Sequence, residues 1–207
     1  MGETTTGFKN NHIYVLAILL LYVFGVGFIK SELLFDLSVL LIGCVTLILL
    51  YYQGYGKIFQ LDKISRRPIL AICLGFVALT IWSIIVNRLF PVPENQKLLD
   101  TYSGTGLELY LFYIYGIFIG PISEELVFRA LIIKNLERFR SIGLDLLVSA
   151  VFFSLAHTVL QGIKLSDFVV YFGIGLIYGT LFKRSKTIYP ALILHIIWNA
   201  WLFWVSS

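Results

Sequence analysis

Long apolar runs without a single charge decide what this chain of 207 residues can fold into. Ile13 to Ile29, Leu37 to Tyr52, Ile69 to Asn87, Leu146 to Ile163 and Thr187 to Val205 contain no Asp, Glu, Lys or Arg. Phe168 to Phe182 adds a shorter run, and a segment beginning near Tyr110 adds a seventh. A helix needs ~20 residues to cross the hydrocarbon core of a bilayer. Membrane-spanning β-strands would alternate polar and apolar residues, and these runs are continuous. The pattern therefore predicts an all-α, polytopic transmembrane helical bundle of about seven spans. Residues 1–207 form a single membrane domain whose immediate partners are membrane lipids.

The formal net charge of +4 is explained by topology rather than by nucleic acid. Lys57, Lys63, Arg66 and Arg67 fall between spans two and three, Lys134, Arg138 and Arg140 between spans four and five, and Lys183, Arg184 and Lys186 between spans six and seven. With Lys9 they make eleven basic residues on one side. The alternate connections hold four, Lys30, Arg88, Lys97 and Lys164, and Arg129 lies within span four. Basic loops stay in the cytoplasm, so the N-terminus is cytoplasmic and the end of span seven is outside. Cys44 and Cys73, within apolar spans and without metal-ligand spacing, read as small buried hydrophobes.

The longest polar interruption, a loop from Pro91 to Gly106, divides a three-helix N-terminal part (13–90) from a four-helix C-terminal part (107–205). The first part has no ionisable residue at mid-depth and reads as packing and anchoring. In span six Gly175 and Gly179 share one helical face, as in a close helix–helix contact, with Gly173 turned elsewhere. The unusual polar residues all lie in the second part. Glu124 and Glu125 sit side by side in span four, where each ionised group costs at least ~2.5 kcal/mol. Gly120 and Pro121 weaken or kink the helix just before them and leave Ser123 near a fresh first turn. Glu125 and Arg129, four apart, can pair along one face. Glu124 is rotated by about 100° and faces elsewhere. His157 is 33 positions from Glu124, and their midpoint falls at Arg140 and Ser141, where basic residues and Gly143 mark a turn. Two residues equidistant from the turn of a helical hairpin meet at one height. His195 and Asn199 share a face of span seven, two to three turns in from Lys186. Taken alone, they suit a functional site or interhelical hydrogen-bond glue equally.

Glu124-Glu125-x-x-x-Arg129, Phe153-x-x-x-His157 and His195-x-x-x-Asn199 resemble, in order, the three signature motifs of the CAAX-processing and bacteriocin-processing (CPBP) intramembrane proteases, which are related to the CAAX prenyl endopeptidases. The resemblance covers about 76 residues, Glu124 to Asn199. It implies an intramembrane endopeptidase that hydrolyses a peptide bond of a membrane-associated protein or peptide, in bacteriocin processing, self-immunity or regulation. It also implies a multi-pass protein of the bacterial cytoplasmic membrane. Glu124 would be the general base, His157 would position water, and His195 and Asn199 would face the oxyanion, with Glu125 and Arg129 in support. A zinc ion on Glu124, His157 and His195 is the competing scheme behind the label metalloprotease. With no His-Glu-x-x-His motif, and with Glu124 needed as a free base, a metal-independent glutamate mechanism is favoured. Two other classes stay open: a non-catalytic bacteriocin-immunity or membrane-binding protein, and a proton-coupled transporter. The transporter has against it the lack of repeat symmetry and of a second broken helix. The charge pattern predicts that a phosphatase reporter fused after Val205 is active only outside the cell, and an active reporter after Lys63 would overturn the topology.

Overall fold

A computed structural model describes residues 12–29, 31–60, 66–102 and 104–206. Lys9, Lys30 and Lys63, used in the topological count, lie outside the described residues, as do the side chains of Arg66 and Arg67. The protein is an all-α membrane bundle, with no strand among the described residues. Helix α1 (His12–Leu20) runs on through wide and tight turns to Phe28, and α2 spans Glu32–Tyr52 and α3 Arg66–Leu89. They are followed by α4 (Glu94–Thr101), α5 (Leu107–Ile114) and α6 (Gly120–Glu124). Helices α7 (Leu144–Thr158), α8 (Leu165–Ser185) and α9 (Tyr189–Ser206) complete the chain. Segments 33–52, 68–89 and 165–185 are each long and apolar enough to cross a membrane, and 13–28, 144–158 and 189–205 are shorter apolar helices. The seventh apolar segment is composite: α5 and α6 are joined by a π-helical turn at Tyr115–Ile119, and a second π-helical stretch, Glu125–Ile133, follows α6.

That composite helix follows from Pro121. Proline has no N–H to donate, so the ladder must be broken near it. The chain answers with a wide turn rather than a new helix start: Gly120 N–H donates to the Tyr115 carbonyl, five residues back. The Gly116 carbonyl thereby loses both the residue-120 donor and, at 121, any donor at all. Asn199 of α9 supplies the missing bond, its Nδ2 donating to Gly116 O at 2.8 Å. Ser123 is buried in the middle of this continuous helix, against Gly43 of α2.

Small residues set the other close approaches. A Cβ built on Gly175 would stand 3.0 Å from Ala150 Cα, so α8 and α7 meet backbone to backbone there. Gly179 faces Leu146 on the same helix, and Gly173 makes room for the Trp82 ring of α3. The Trp82 indole N–H donates to Val170 O at 2.9 Å. Ser149 Oγ ties α7 to the wide turn through Phe128 O at 2.7 Å.

Two expectations need correction. The segment Pro91–Gly106 is not a loop throughout: it holds α4, whose first N–H, that of Glu94, is satisfied by Asp167 Oδ2 at 3.0 Å from α8. Cys44 and Cys73 are exposed on the outside of the bundle, not buried. In lipid an apolar side chain is as well served outside as inside, so apolar sequence context carries no information on burial. Gly175→Val should therefore lower stability by about 1–3 kcal/mol through overpacking, read as a lower thermal unfolding midpoint in detergent. Gly56→Ala, where an added Cβ meets nothing within 4 Å, should leave that midpoint unchanged.

Candidate active site

Six polar residues from three apolar segments converge at one end of a cavity of about 340 Å³. The innermost is Arg129, with no exposed surface, its Nε 3.5 Å from Glu125 Oε1. Its guanidinium carbon lies 4.2 Å from the centroid of the Phe153 ring and 5.2 Å from that of Tyr178, so two aromatic faces share its charge. Glu125, equally buried, also accepts from His195 Nδ1 at 3.0 Å. A carboxylate can only accept, so Nδ1 carries the proton and Nε2 turns toward Glu124, at 3.6 Å from Oε2. Tyr178 stacks on the His195 ring with centroids 4.4 Å apart and 25° between planes.

His157 is fixed in a parallel way. Its Nδ1 donates to the Phe153 carbonyl at 2.9 Å, one turn back on α7, which leaves Nε2 facing Glu124 Oε1 at 3.8 Å. The ring is held between Phe153, centroids 4.4 Å apart, and Tyr171, 4.5 Å apart. Phe153 thus serves twice: its carbonyl orients His157 and its ring covers Arg129.

The two adjacent glutamates are separated by their neighbours. Glu125 has a cation and a histidine N–H and no exposed surface. Glu124 lines the cavity, its side chain 14% exposed, with imidazole Nε2 atoms beyond both oxygens and no Lys or Arg in ion-pair range among the described residues. The separations of 3.6 and 3.8 Å are too long for direct hydrogen bonds and match the span bridged by one small molecule. Among the described residues no group of three or more His, Cys, Asp or Glu side chains is placed to hold a metal ion.

Sequence reasoning assembled Glu124, Glu125, Arg129, His157, His195 and Asn199, and all six stand together. It did not find that Glu125 orients His195, nor that Tyr22, Tyr115, Tyr171 and Tyr178 line the cavity. It also read the N-terminal helices as anchors, whereas Tyr22, Val23 and Val26 after α1, and Phe35 and Val39 on α2, wall the site. Their apolar side chains carry no mark that separates a cavity wall from a lipid contact.

Residues 106–201, which contain all three motifs, match the family profile described as Type II CAAX prenyl endopeptidase Rce1-like. Over that stretch the chain is similar to the CAAX-type membrane proteases. It is similar to the membrane-embedded CAAX protease MroQ of Staphylococcus aureus, with 25% identity over 195 residues, covering 86% of this chain and 75% of that protein. It is also similar to a candidate membrane peptidase, YdiL of Bacillus subtilis, with 27% identity over 172 residues, covering 78% and 67% respectively. No solved structure matches significantly. Within this site Arg129→Met should strip Glu125 of its cation and cost about 3–5 kcal/mol, seen as a lower thermal midpoint. Adding Glu125→Gln should recover part of that loss, and an additive further loss would refute the pairing.

Proposed function

We propose that this protein is a CPBP-type protease that hydrolyses a peptide bond of a membrane-associated protein or peptide, with Glu124 as the general base. One observation supports this reading above the others. Glu124 is the carboxylate left without a Lys or Arg partner, in a cavity, between two imidazole Nε2 atoms at 3.8 and 3.6 Å. A water held there donates one O–H to Glu124 and the other to Nε2 of His157, which directs its lone pair at the scissile carbonyl carbon. The oxygen–carbon bond forms as the proton passes to Glu124, and the carbonyl oxygen becomes an oxyanion. The proton taken up by Glu124 passes to Nε2 of His195, 3.6 Å from Oε2. The imidazole, with its Nδ1–H on Glu125, then donates to that oxyanion and hands the proton back to Glu124 as the oxyanion collapses. Asn199 donates its second amide N–H, the first being held by Gly116 O. Collapse of the tetrahedral intermediate breaks the carbon–nitrogen bond, and Glu124 returns its proton to the leaving amine. Glu125 and Arg129 keep His195 and the helix in place. No step runs through a metal.

Both named relatives come from bacteria, which supports a multi-pass protein of the bacterial cytoplasmic membrane. The substrates that suit such a site are leader peptides and bacteriocin-like peptides, cleaved in processing or in self-immunity. Glu124→Gln keeps the shape of the side chain and removes the base. It should lower turnover by about 10²–10⁴-fold at an unchanged unfolding midpoint. Peptides that accumulate in membranes of Glu124→Gln cells, identified by mass spectrometry against wild type, are the substrates. Identical peptide sets would sink the hydrolytic reading. The wild-type enzyme should keep its activity after chelation, and loss restored by zinc would overturn the metal-independent scheme.

A further inference from the structure

One end of the cavity lies beneath α4, and the side chains Asn95 and Gln96 of that helix line it. Helix α4 is fastened to the start of α8. The Glu94 N–H donates to Asp167 Oδ2 at 3.0 Å, and the Glu94 carboxylate meets Lys164 Nζ at 2.6 Å and Lys97 Nζ at 2.9 Å. These two ammonium groups hold the Glu94 carboxyl down at about 2. Its contribution would be lost only as pH falls through that value, so the fastening is intact across the neutral range.

Tyr171 lies one turn beyond Asp167 on α8 and so shares its face. The Tyr171 side chain interacts with that of Asn95 on α4, and both line the cavity. The Tyr171 ring also stacks on His157 at 4.5 Å with 24° between planes. One side chain therefore touches both the helix over the cavity and the imidazole that faces Glu124. The other constraints on His157, the Phe153 carbonyl and ring, belong to its own helix. Tyr171 is its stacking partner from a different helix.

We propose that Tyr171 is a positioning residue that couples the seating of α4 to the orientation of His157. With α4 fastened, Asn95 holds the phenol, the phenol ring holds the imidazole plane, and Nε2 stays aimed at Glu124. With α4 lifted, Tyr171 is released and His157 loses its stack. Access beneath α4 and readiness for catalysis are then one event. The inference rests on the roles proposed above for His157 and Glu124.

The chain contains three histidines, so the full-length protein, labelled at histidine in lipid nanodiscs, gives ring signals that His157→Gln and His195→Gln assign. Tyr171→Leu should move the His157 ring signals and leave those of His195 in place. In cleavage of a peptide that accumulates in Glu124→Gln membranes, it should lower kcat about ten- to a hundredfold with KM nearly unchanged. Tyr171→Phe should retain the ring-current shift of His157 and most of kcat. Its residual defect should equal that of Asn95→Ala, and the double variant should be no worse than either single one. An unmoved His157 signal in Tyr171→Leu, or additive effects of Tyr171→Phe and Asn95→Ala, would overturn the coupling. If Tyr171→Leu does not fold, the Tyr171→Phe and Asn95→Ala pair decides it alone. The ring signals require no hydrolysis, so a cleaving Glu124→Gln enzyme would refute the proposed function and leave this test standing.

Discussion

A guanidinium with no exposed surface, Arg129, is the charge around which the C-terminal helices are arranged. An isolated cation in this setting would cost far more than the protein's net stability. It is tolerated because three elements converge on it: Glu125 from its own helix, the Phe153 ring from α7 and the Tyr178 ring from α8. Those same partners are the ones that fix the histidines. Glu125 accepts from His195, the carbonyl of Phe153 accepts from His157, and Tyr178 stacks on His195. Satisfying the buried charge and orienting the imidazoles are therefore one structural problem with one solution. Arg129 need not touch a substrate for its loss to disorder every group that does.

The second constraint is a missing proton donor. Pro121 breaks the hydrogen-bond ladder just before the two glutamates: it leaves the Gly116 carbonyl without a donor from its own helix, in a medium where an unpaired carbonyl is costly. Asn199 answers that carbonyl across the helix interface. The bond pins α9 at the height of the site and places the remaining amide N–H of Asn199 at the cavity. The hydrogen-bond glue and the functional reading of Asn199, which spacing alone left even, are thus compatible. One amide proton serves the fold while the other faces the cavity that Asn199 lines.

Much of this was legible in the sequence because helical geometry converts spacing into direction. A spacing of four from Glu125 to Arg129, the same from His195 to Asn199, and a turn midway between Glu124 and His157 sufficed to group the six polar residues. What spacing cannot supply is the rotation of one helix against another. Tyr171 and Tyr178 are seven apart on α8 and stack on different histidines, and nothing in Tyr-Phe-Gly-Ile-Gly-Leu-Ile-Tyr says which tyrosine meets which ring. The cavity-facing part of α2 escaped for a related reason. In water an amphipathic stripe would mark it, but in lipid Val39 toward the site and Leu41 toward the bilayer are chemically alike. Helix α4 was missed because its N-terminal satisfaction comes from Asp167, 73 residues away, rather than from a local cap.

The division of the two glutamates follows from these constraints without any difference in residue type. Glu125 faces Arg129 and His195, which both approach its Oε1. Glu124, one residue earlier, falls where the chain passes from α6 into the wide turn and projects into the cavity. A lone carboxylate at this depth would be an expensive defect. A pair in which one member is neutralised and the other is left facing two imidazole lone pairs is an arrangement that needs a small proton donor to complete it. Water is such a donor, and a water held there is poised to be deprotonated. The carboxylate left without a cation is thus the one with access to the cavity.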